Sequence, residues 1–356
     1  MKIIAIHLVN DFSESSKVLK QLVKGWAKNN ITTELHIGKG RKGFLSNMSQ
    51  ISTNHFWCPN FKNPILKLLS IITSQFLLFA KLLFTIKKSD TIYINTVLPF
   101  GAALAGKIRG CKIIYHIHDT SLTPKIFKLF LFNVAKWTAN EVIYVSDFLA
   151  KQQPLKIKSN VIYNVLEKDF LNQCKISKNS QKESKIVLMI CSLNANKGVS
   201  EFLQLSHLNR NYTFKLVLDA SQKEIDNYFK LEFLPDNLII YPKQLDTHPF
   251  YKEASIVLNL SDIRSSVETF GPTILEAMAY GLPTIVSPVG GVIELVKEGE
   301  NGYLIDSKNI QLLTRRLNEL LQNTALYQKM STTAKEYSRF FCEEYFESES
   351  RRILLN

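Results

Sequence analysis

The stretch SIVLNLSDIRSSVETFGPTILEAMAYGLPTIVS, Ser255–Ser287, holds a complete strand–loop–helix–strand unit. SIVLNLS is a short apolar run with the length of a buried strand, and DIRSSVETF reads as a loop. Pro272 suits the first position of a helix, where its missing N–H would be unpaired in any residue. Gly281 suits the position just past the helix end, with Pro283 beyond it. A helix is therefore predicted over roughly Pro272–Tyr280, after which PTIVS resumes as a strand. Strands joined through helices form parallel sheets covered on both faces.

Glu268 lies in the loop before this helix and Glu276 one turn inside it, both directed at the helix N-terminus. First-turn amides and the positive end of the helix dipole favour anions there. A carboxylate repels phosphate but accepts two hydroxyl hydrogen bonds, which suits a sugar or a ribose. The unit thus sets donors for charge beside acceptors for hydroxyls, and a nucleotide sugar needs both. Taken alone, the two acids read more simply as stabilisers of the helix dipole, worth about 0.3–1 kcal/mol each.

The same alternation runs outward through the chain. IIAIHLV, TIYIN, KIIYHIHD and EVIYVS alternate with helical segments in the first half, and KIVLMICSL, TFKLVLD, NLIIYP, SIVLNLS and PTIVS do so in the second. Between them LNQCKISKNSQKES, Leu171–Ser184, is polar and without apolar period, and reads as a linker. With 356 residues, about two domains are expected. The prediction is an α/β protein with two doubly wound, Rossmann-like domains facing across a cleft. They span residues 1–165 and 185–335, with a linker over 166–184 and a terminal helix over 336–356 that packs back on the first domain. Ligands of such sheets sit beyond the carboxyl ends of the strands, where strand order reverses.

Charge is unevenly spread. Residues 1–170 carry 23 Lys and Arg against 9 Asp and Glu, a net of +14, whereas residues 171–356 carry 21 against 22, a net of −1. A basic half implies an anionic partner, either nucleic acid or a membrane surface. Two stretches bear on the choice. In NPILKLLSIITSQFLLFAKLLFTIKK, Asn63–Lys88, the residues Lys67, Ser70, Ser74, Lys81, Thr85 and Lys88 form a narrow polar stripe on a helical wheel, and nearly everything else is apolar. Its longest unbroken apolar run, FLLFA, is far short of a membrane span of about 20 residues. Such a helix is either mostly buried or meets lipid while its lysines reach the headgroups. PKIFKLFLFNVAK, Pro124–Lys136, repeats the character. Both are aliphatic-rich and helical, so an anionic membrane surface is the expected partner, not nucleic acid. Five scattered cysteines without a C-x-x-C suit a reducing compartment. The opening MKIIAIHLVNDF reads as a strand and not as a leader. The expected location is cytoplasmic, peripheral at the inner face of the cytoplasmic membrane.

Several segments carry a resemblance. ETFGPTILEAMAYGLPTIVSPVGGVIELVKEGENGYLI, Glu268–Ile305, resembles the donor-binding region of the retaining family 4 glycosyltransferases of GT-B fold. KIVLMICSLNANKGVSEFLQL resembles the first strand, loop and Lys-Gly of their second domain, and YHIHD the His-Asp strand end of the first. YVSDFLAK and VIYNVLEKDF resemble the segments before the interdomain link. LVNDFSESSKVLKQ resembles members that build cell-surface polysaccharides. The resemblance implies transfer, with retention, of a sugar from a UDP- or GDP-sugar to a hydroxyl of a glycan acceptor. That acceptor would be linked to polyprenyl diphosphate, in capsule, O-antigen or exopolysaccharide synthesis. No cofactor and no essential metal are implied.

By position, the resemblance assigns Glu268 to hydroxyls of the donor sugar, Glu276 to the ribose and Lys197 to the departing diphosphate. The backbone around Phe270 and Gly271, with Pro272 and Thr273, would face the sugar and its phosphate. Tyr241, Pro242 and Lys243 would border the base, and Ser192 the donor. His118 would stand near the donor sugar and the acceptor, with Asn10, Ser15 and Ser16 on the acceptor side. His116 is assigned to packing on the opposite face of its strand. Gly290 and Gly291 serve either a tight turn or a close backbone approach.

The chain also departs from the family. Cys191-Ser192 stands where members usually have Gly-Arg, so one phosphate-binding arginine is missing and Lys197, helped by Arg264 or Lys243, must do more. Asn10–Lys17 replaces the usual Gly-rich loop, and Pro272 removes one backbone donor. The implied mechanism is front-face transfer in which the departing phosphate takes the acceptor's proton and His118 shapes the site. There is no D-x-D and no clustered His/Cys set of the kind that holds a metal. The absence of G-x-G-x-x-G after the first strand excludes a nicotinamide dehydrogenase. Two alternatives stay open. One is a sugar-nucleotide epimerase on the same fold, which the basic, apolar first half disfavours. The other is a catalytically silent membrane partner of another transferase, which intact Glu268, Lys197 and His118 disfavour.

Overall fold

The computed structural model describes the chain except residues 1, 41, 47, 49–50, 62, 119–121, 177–184, 265–267 and 356 and the side chain of residue 355. The chain divides into two compact units, residues 1–164 with 344–356 and residues 165–343. Among the described residues, the named strands of both units pair in parallel.

In the first unit β1 (Ile3–His7), β2 (Thr33–Gly38), β3 (Ser52–Phe56), β4 (Thr91–Asn95), β5 (Lys112–Ile117), β6 (Glu141–Tyr144) and β7 (Ser159–Val161) form one sheet of order β3-β2-β1-β4-β5-β6-β7. The helices are α1 (Glu14–Lys28), α2 (Pro64–Thr85), α3 (Phe100–Arg109), α4 (Lys125–Thr138) and α5 (Asp147–Gln152). The steps β3→β4→β5→β6 all move the same way along the sheet. Right-handed crossovers therefore place α2, α3 and α4 on one face, and α1, which joins strands running the other way, on the opposite face. β1 and β4 are buried throughout, as central parallel strands must be.

The polar stripe expected on α2 is split by the fold. Ser70, Ser74 and Gln75 are buried, while Lys67 and Lys81 are exposed. The Ser70 hydroxyl donates to the Pro59 carbonyl at 2.8 Å, and the Gly101 amide of α3 donates to Gln75 Oε1 at 3.1 Å. A Cβ on Gly101 would lie 2.1 Å from the Gln75 carbonyl, so the two helices meet backbone to backbone. The inward side of α2 is thus partly small and polar, and many of its large apolar residues face out.

The second unit carries β8 (Ile186–Cys191), β9 (Thr213–Leu218), β10 (Leu238–Tyr241), β11 (Ile256–Asn259), β12 (Thr284–Val286) and β13 (Gly302–Leu304), in the order β10-β9-β8-β11-β12-β13. Its helices are α6 (Lys168–Ile176), α7 (Val199–Leu208), α8 (Gln222–Tyr228), α9 (His248–Glu253), α10 (Pro272–Ala279), α11 (Ile310–Gln322) and α12 (Thr324–Ser338). Val187, Phe202, Phe214, Leu216, Ile256 and Leu317 belong to its core. The segment read as a linker is helical over α6, where Cys174 is buried, and its remainder, 177–184, lies outside the described residues. The terminal helix α13 (Glu343–Leu355) belongs with the first unit. It lies against α1, where Trp26 Nε1 donates to Ser350 Oγ at 3.3 Å, and Lys112 Nζ reaches the Ile353 carbonyl at 2.8 Å.

Candidate active site

In the second unit strand order reverses between β8 and β11, and the loops that follow these strands meet at the carboxyl edge of the sheet. After β8 the chain makes a 3-10 turn, Ala195–Lys197, and Gly198 turns left-handed at φ +78° before α7. A Cβ on Gly198 would lie 2.2 Å from the Leu260 carbonyl, just past β11. The Asp262 amide donates to the Asn196 carbonyl at 2.8 Å. This packing brings Lys197 to the loop after β11, where its Nζ donates to Glu268 Oε2 at 2.7 Å. Lys197 and Glu268 are 19% and 23% exposed, so the pair is reachable from solvent.

Pro272 opens α10, and Gly281 follows its end at φ +68°, as the local sequence predicts. Among the described residues no side chain caps the N-terminus of α10. Gly290 and Gly291 serve a close backbone approach, but to the chain itself. A Cβ on Gly290 would lie 2.3 Å from the Glu268 carbonyl, and one on Gly291 2.1 Å from that of Thr269. The Gly291 amide donates to the Glu268 carbonyl at 2.7 Å. The glycine pair therefore braces the loop that carries Glu268. Phe270 is fully buried, backbone included, and its ring packs against Phe341 with centroids 6.0 Å apart, so the residue expected to face the sugar is not exposed to it.

Glu276 is held by a residue without a sequence signal. Tyr251 of α9 is fully buried, and its hydroxyl donates to Glu276 Oε2 at 2.8 Å. Lys243 pairs with Asp219 at 2.7 Å, both following neighbouring strands. Tyr241 is half-buried edge-on to Phe250, with ring centroids 4.9 Å apart, and Ser192 is exposed. Burial pushes the Cys191 thiol up to about 12, so it is an inert neighbour of Lys197 and Glu268 at neutral pH.

A second cluster occupies the reversal point of the first unit, between β1 and β4. The Asn95 side chain lies at its centre. Its Nδ2 donates to the Ser15 carbonyl at 2.9 Å and to His7 Nδ1 at 3.0 Å, and its Oδ1 lies 2.8 Å from His118 Nε2. A carbonyl only accepts, so the Ser15 contact fixes which end of the amide is nitrogen. His118 must then carry its proton on Nε2, and His7 must carry its own on the nitrogen that faces Ser16 Oγ, 3.0 Å away. Ser16 Oγ passes the chain on to Asp11 Oδ1 at 3.1 Å. Among the described residues the buried Nδ1 of His118 has no partner. Burial holds His7 down to about 4, His116 down to about 3 and His118 well below its ordinary value. His116 does not take the opposite face. Residues two apart on a strand share a face, and the two rings lie 4.1 Å apart, with His116 Nδ1 2.8 Å from the Tyr93 hydroxyl.

Of the acceptor-side residues, Ser16 is buried in this chain of contacts. Asn10 is buried too, accepting from the Leu45 amide and donating to Ser46 Oγ, each at 3.0 Å. Ser15 is half-buried and contributes its carbonyl. His7 and Asn95 went unrecognised, although each is a polar residue closing an apolar strand.

Residues 173–337 match the family model of glycosyl transferases group 1. The chain carries a group 1 glycosyltransferase domain. Lys197, Glu268 and Glu276 lie within the matched region, and the protein is a glycosyltransferase. N-acetyl-alpha-D-glucosaminyl L-malate synthase of Bacillus anthracis is 25% identical to this transferase over 279 residues, 72% of each chain. The capsular polysaccharide biosynthesis glycosyltransferase CapM of Staphylococcus aureus is 22% identical over 250 residues, 63% of this chain and 64% of CapM. The crystal structure of Anabaena HepE in complex with UDP superposes on the transferase with a TM-score of 0.78, covering 99% of each chain at 22% identity. Two parallel sheets with interleaved helices are the GT-B architecture of these structures.

Proposed function

We propose that this glycosyltransferase moves a sugar, with retention, from a nucleoside-diphosphate sugar to a hydroxyl of a lipid-linked glycan in cell-surface polysaccharide synthesis. The observation that carries the reading is the Lys197–Glu268 pair at the reversal point of the second sheet, 2.7 Å apart and open to solvent. A diphosphate arriving at the N-terminus of α10 competes for Lys197 and releases Glu268 to the sugar's hydroxyls. Glu276, held by Tyr251, accepts from the ribose. Lys197 and the helix amides stabilise charge on the leaving diphosphate, and no metal is needed for that task. The acceptor oxygen bonds to the anomeric carbon on the face that the phosphate leaves. The carbon–oxygen bond electrons go to the diphosphate, which takes the acceptor's proton. His118, neutral and held by Asn95, shapes the acceptor's place without serving as base. Uridine is the favoured base because HepE is described with UDP and with UDP-glucose, and the polysaccharide role rests on the similarity to CapM.

The test is release of nucleoside diphosphate from a panel of UDP- and GDP-sugars, with and without polyprenyl-diphosphate glycans. Glu268→Gln is expected to lower turnover at least a hundredfold while the circular dichroism spectrum stays unchanged. Undiminished turnover in that variant removes Glu268 from the site.

A further inference from the structure

The layer formed by α2, α3 and α4 exposes a concentration of large apolar side chains that the transfer reaction does not use. On α2, Ile65, Leu66, Leu69, Phe76, Leu77 and Phe84 are all exposed, Phe84 to 85%. Among the described residues α2 is the helix long and apolar enough to cross a membrane, yet its most apolar window is only 28% buried. A soluble helix normally turns such a stripe inward. Here Ser70, Ser74 and Gln75 are buried instead, and Gly101 seats α3 on the Gln75 backbone. The next helices continue the surface. Phe100 of α3 stacks edge-on against Phe130 of α4 at 5.1 Å, and beyond it Ile126, Leu129 and Trp137 of α4 are exposed. All three helices share one face of the sheet, so these side chains belong to one side of the unit.

The charge around this surface has a single sign. Residues 57–118 contain eight Lys and Arg and one acid, Asp90, which is buried and accepts from the Lys87 amide. Residues 125–138 contain three lysines and no acid. An apolar surface flanked by lysines fits the acyl boundary and the phosphates of an anionic bilayer, with the lysine stems lying along the apolar zone and the ammonium groups at the headgroups. A protein partner of comparable area would need acids to meet these lysines and would bury the apolar centre dry. A spanning α2 is inconsistent with its contacts to the unit, because Leu78 and Leu82 are fully buried and Gln75 is tied to α3.

We propose that the α2–α3–α4 face seats the protein in the interface of an anionic membrane leaflet, with α2 lying in the membrane plane and its outward apolar residues in the acyl boundary. The face is independent of the nucleotide site, so either reading can fail without the other. For a lipid-linked acceptor, it would hold the enzyme at the leaflet where that acceptor resides, the inner face of the cytoplasmic membrane.

The test uses the full chain and vesicles of phosphatidylcholine with or without 30% phosphatidylglycerol. Trp57 is exposed and Trp26 buried, so in a Trp57→Phe background Trp137 reports the surface. Its emission is expected to shift to shorter wavelength on anionic vesicles and to be quenched by brominated acyl chains. Binding to anionic vesicles is expected to exceed binding to neutral ones at least tenfold and to weaken as salt rises. Leu69→Asp/Phe76→Asp/Phe84→Asp, all outward positions, is expected to lower vesicle binding at least tenfold while UDP affinity is unchanged. Equal binding by that variant would overturn the proposal, as would no binding by the unaltered chain. A dimer in light scattering that the same substitutions dissociate would also overturn it, by giving the face to a second copy.

Discussion

Glu268, Glu276 and Lys197 stand out one by one in the sequence because each sits in a local pattern: a loop before a Pro-started helix, a position one turn inside that helix, and an Asn-Lys-Gly turn after a strand. Their partners were not. Tyr251 lies 25 residues from Glu276, and Asn95 lies 88 from His7 and 23 from His118. Only the parallel register brings the ends of β1, β4 and β5 together. Asn95 has a sharp consequence at this scale. Because its amide donates to His7 and accepts from His118, it sets the tautomers of both rings, which burial keeps neutral. In Asn95→Asp an acceptor-only group replaces the amide, and a carboxylate beside two imidazoles raises their pKa values. Nitrogen-15 NMR of histidine-labelled protein should show His118 protonated on Nε2 alone and unchanged between pH 5 and 8. In Asn95→Asp the same ring should titrate within that range. A ring that titrates in the unaltered protein, or a variant spectrum identical to it, contradicts the assignment.

At the scale of elements, the strands with strong apolar runs were foreseen close to their observed limits, from TIYIN at β4 to SIVLNLS at β11. β3, β7 and β13 were missed, and all three lie at sheet edges. β3 is largely open to solvent, so Ser-Thr-Asn-His-Phe needs no apolar run to hold its place, and β7 and β13 are only three residues long, too short to show a period. β2, an inner strand, was also passed over, since Thr-Glu-Leu-His-Ile-Gly opens with polar residues that lie at its half-buried start. The orientation of α2 was open for another reason: helical periodicity marks two sides but does not say which meets the sheet. The buried histidines at the strand ends tie the sheet of the first unit to pH. His7 and His116 are held by burial at about 4 and about 3, against an ordinary 6.5. The unfolded chain therefore binds more protons between those values and 6.5. The stability from keeping these rings neutral is complete above about pH 6.5 and is lost as pH falls toward the folded values. The loss is roughly 1.4 kcal/mol per pH unit for each ring. The melting temperature should be several degrees lower at pH 5 than at pH 7; an equal or higher value at pH 5 would show that these rings are not buried neutral.

For the whole molecule, the division of charge, +14 in residues 1–170 and −1 in 171–356, follows the division of labour proposed above. The first unit carries the basic, apolar face. In the second, Lys197 and Lys243, the two cations proposed to meet phosphate, pair with Glu268 and Asp219. In the proposed reaction each acid yields its lysine to the doubly charged diphosphate. Lys197 is the cation proposed to meet the diphosphate, since Cys191-Ser192 stands where the resemblance expects an arginine. The most direct measurement is calorimetric titration of UDP into the unaltered protein and into Lys197→Met. Loss of one charge-assisted contact, worth about 1.5–3 kcal/mol, predicts roughly tenfold to hundredfold weaker binding. Equal UDP affinity in a Lys197→Met protein that melts like the parent would contradict the account.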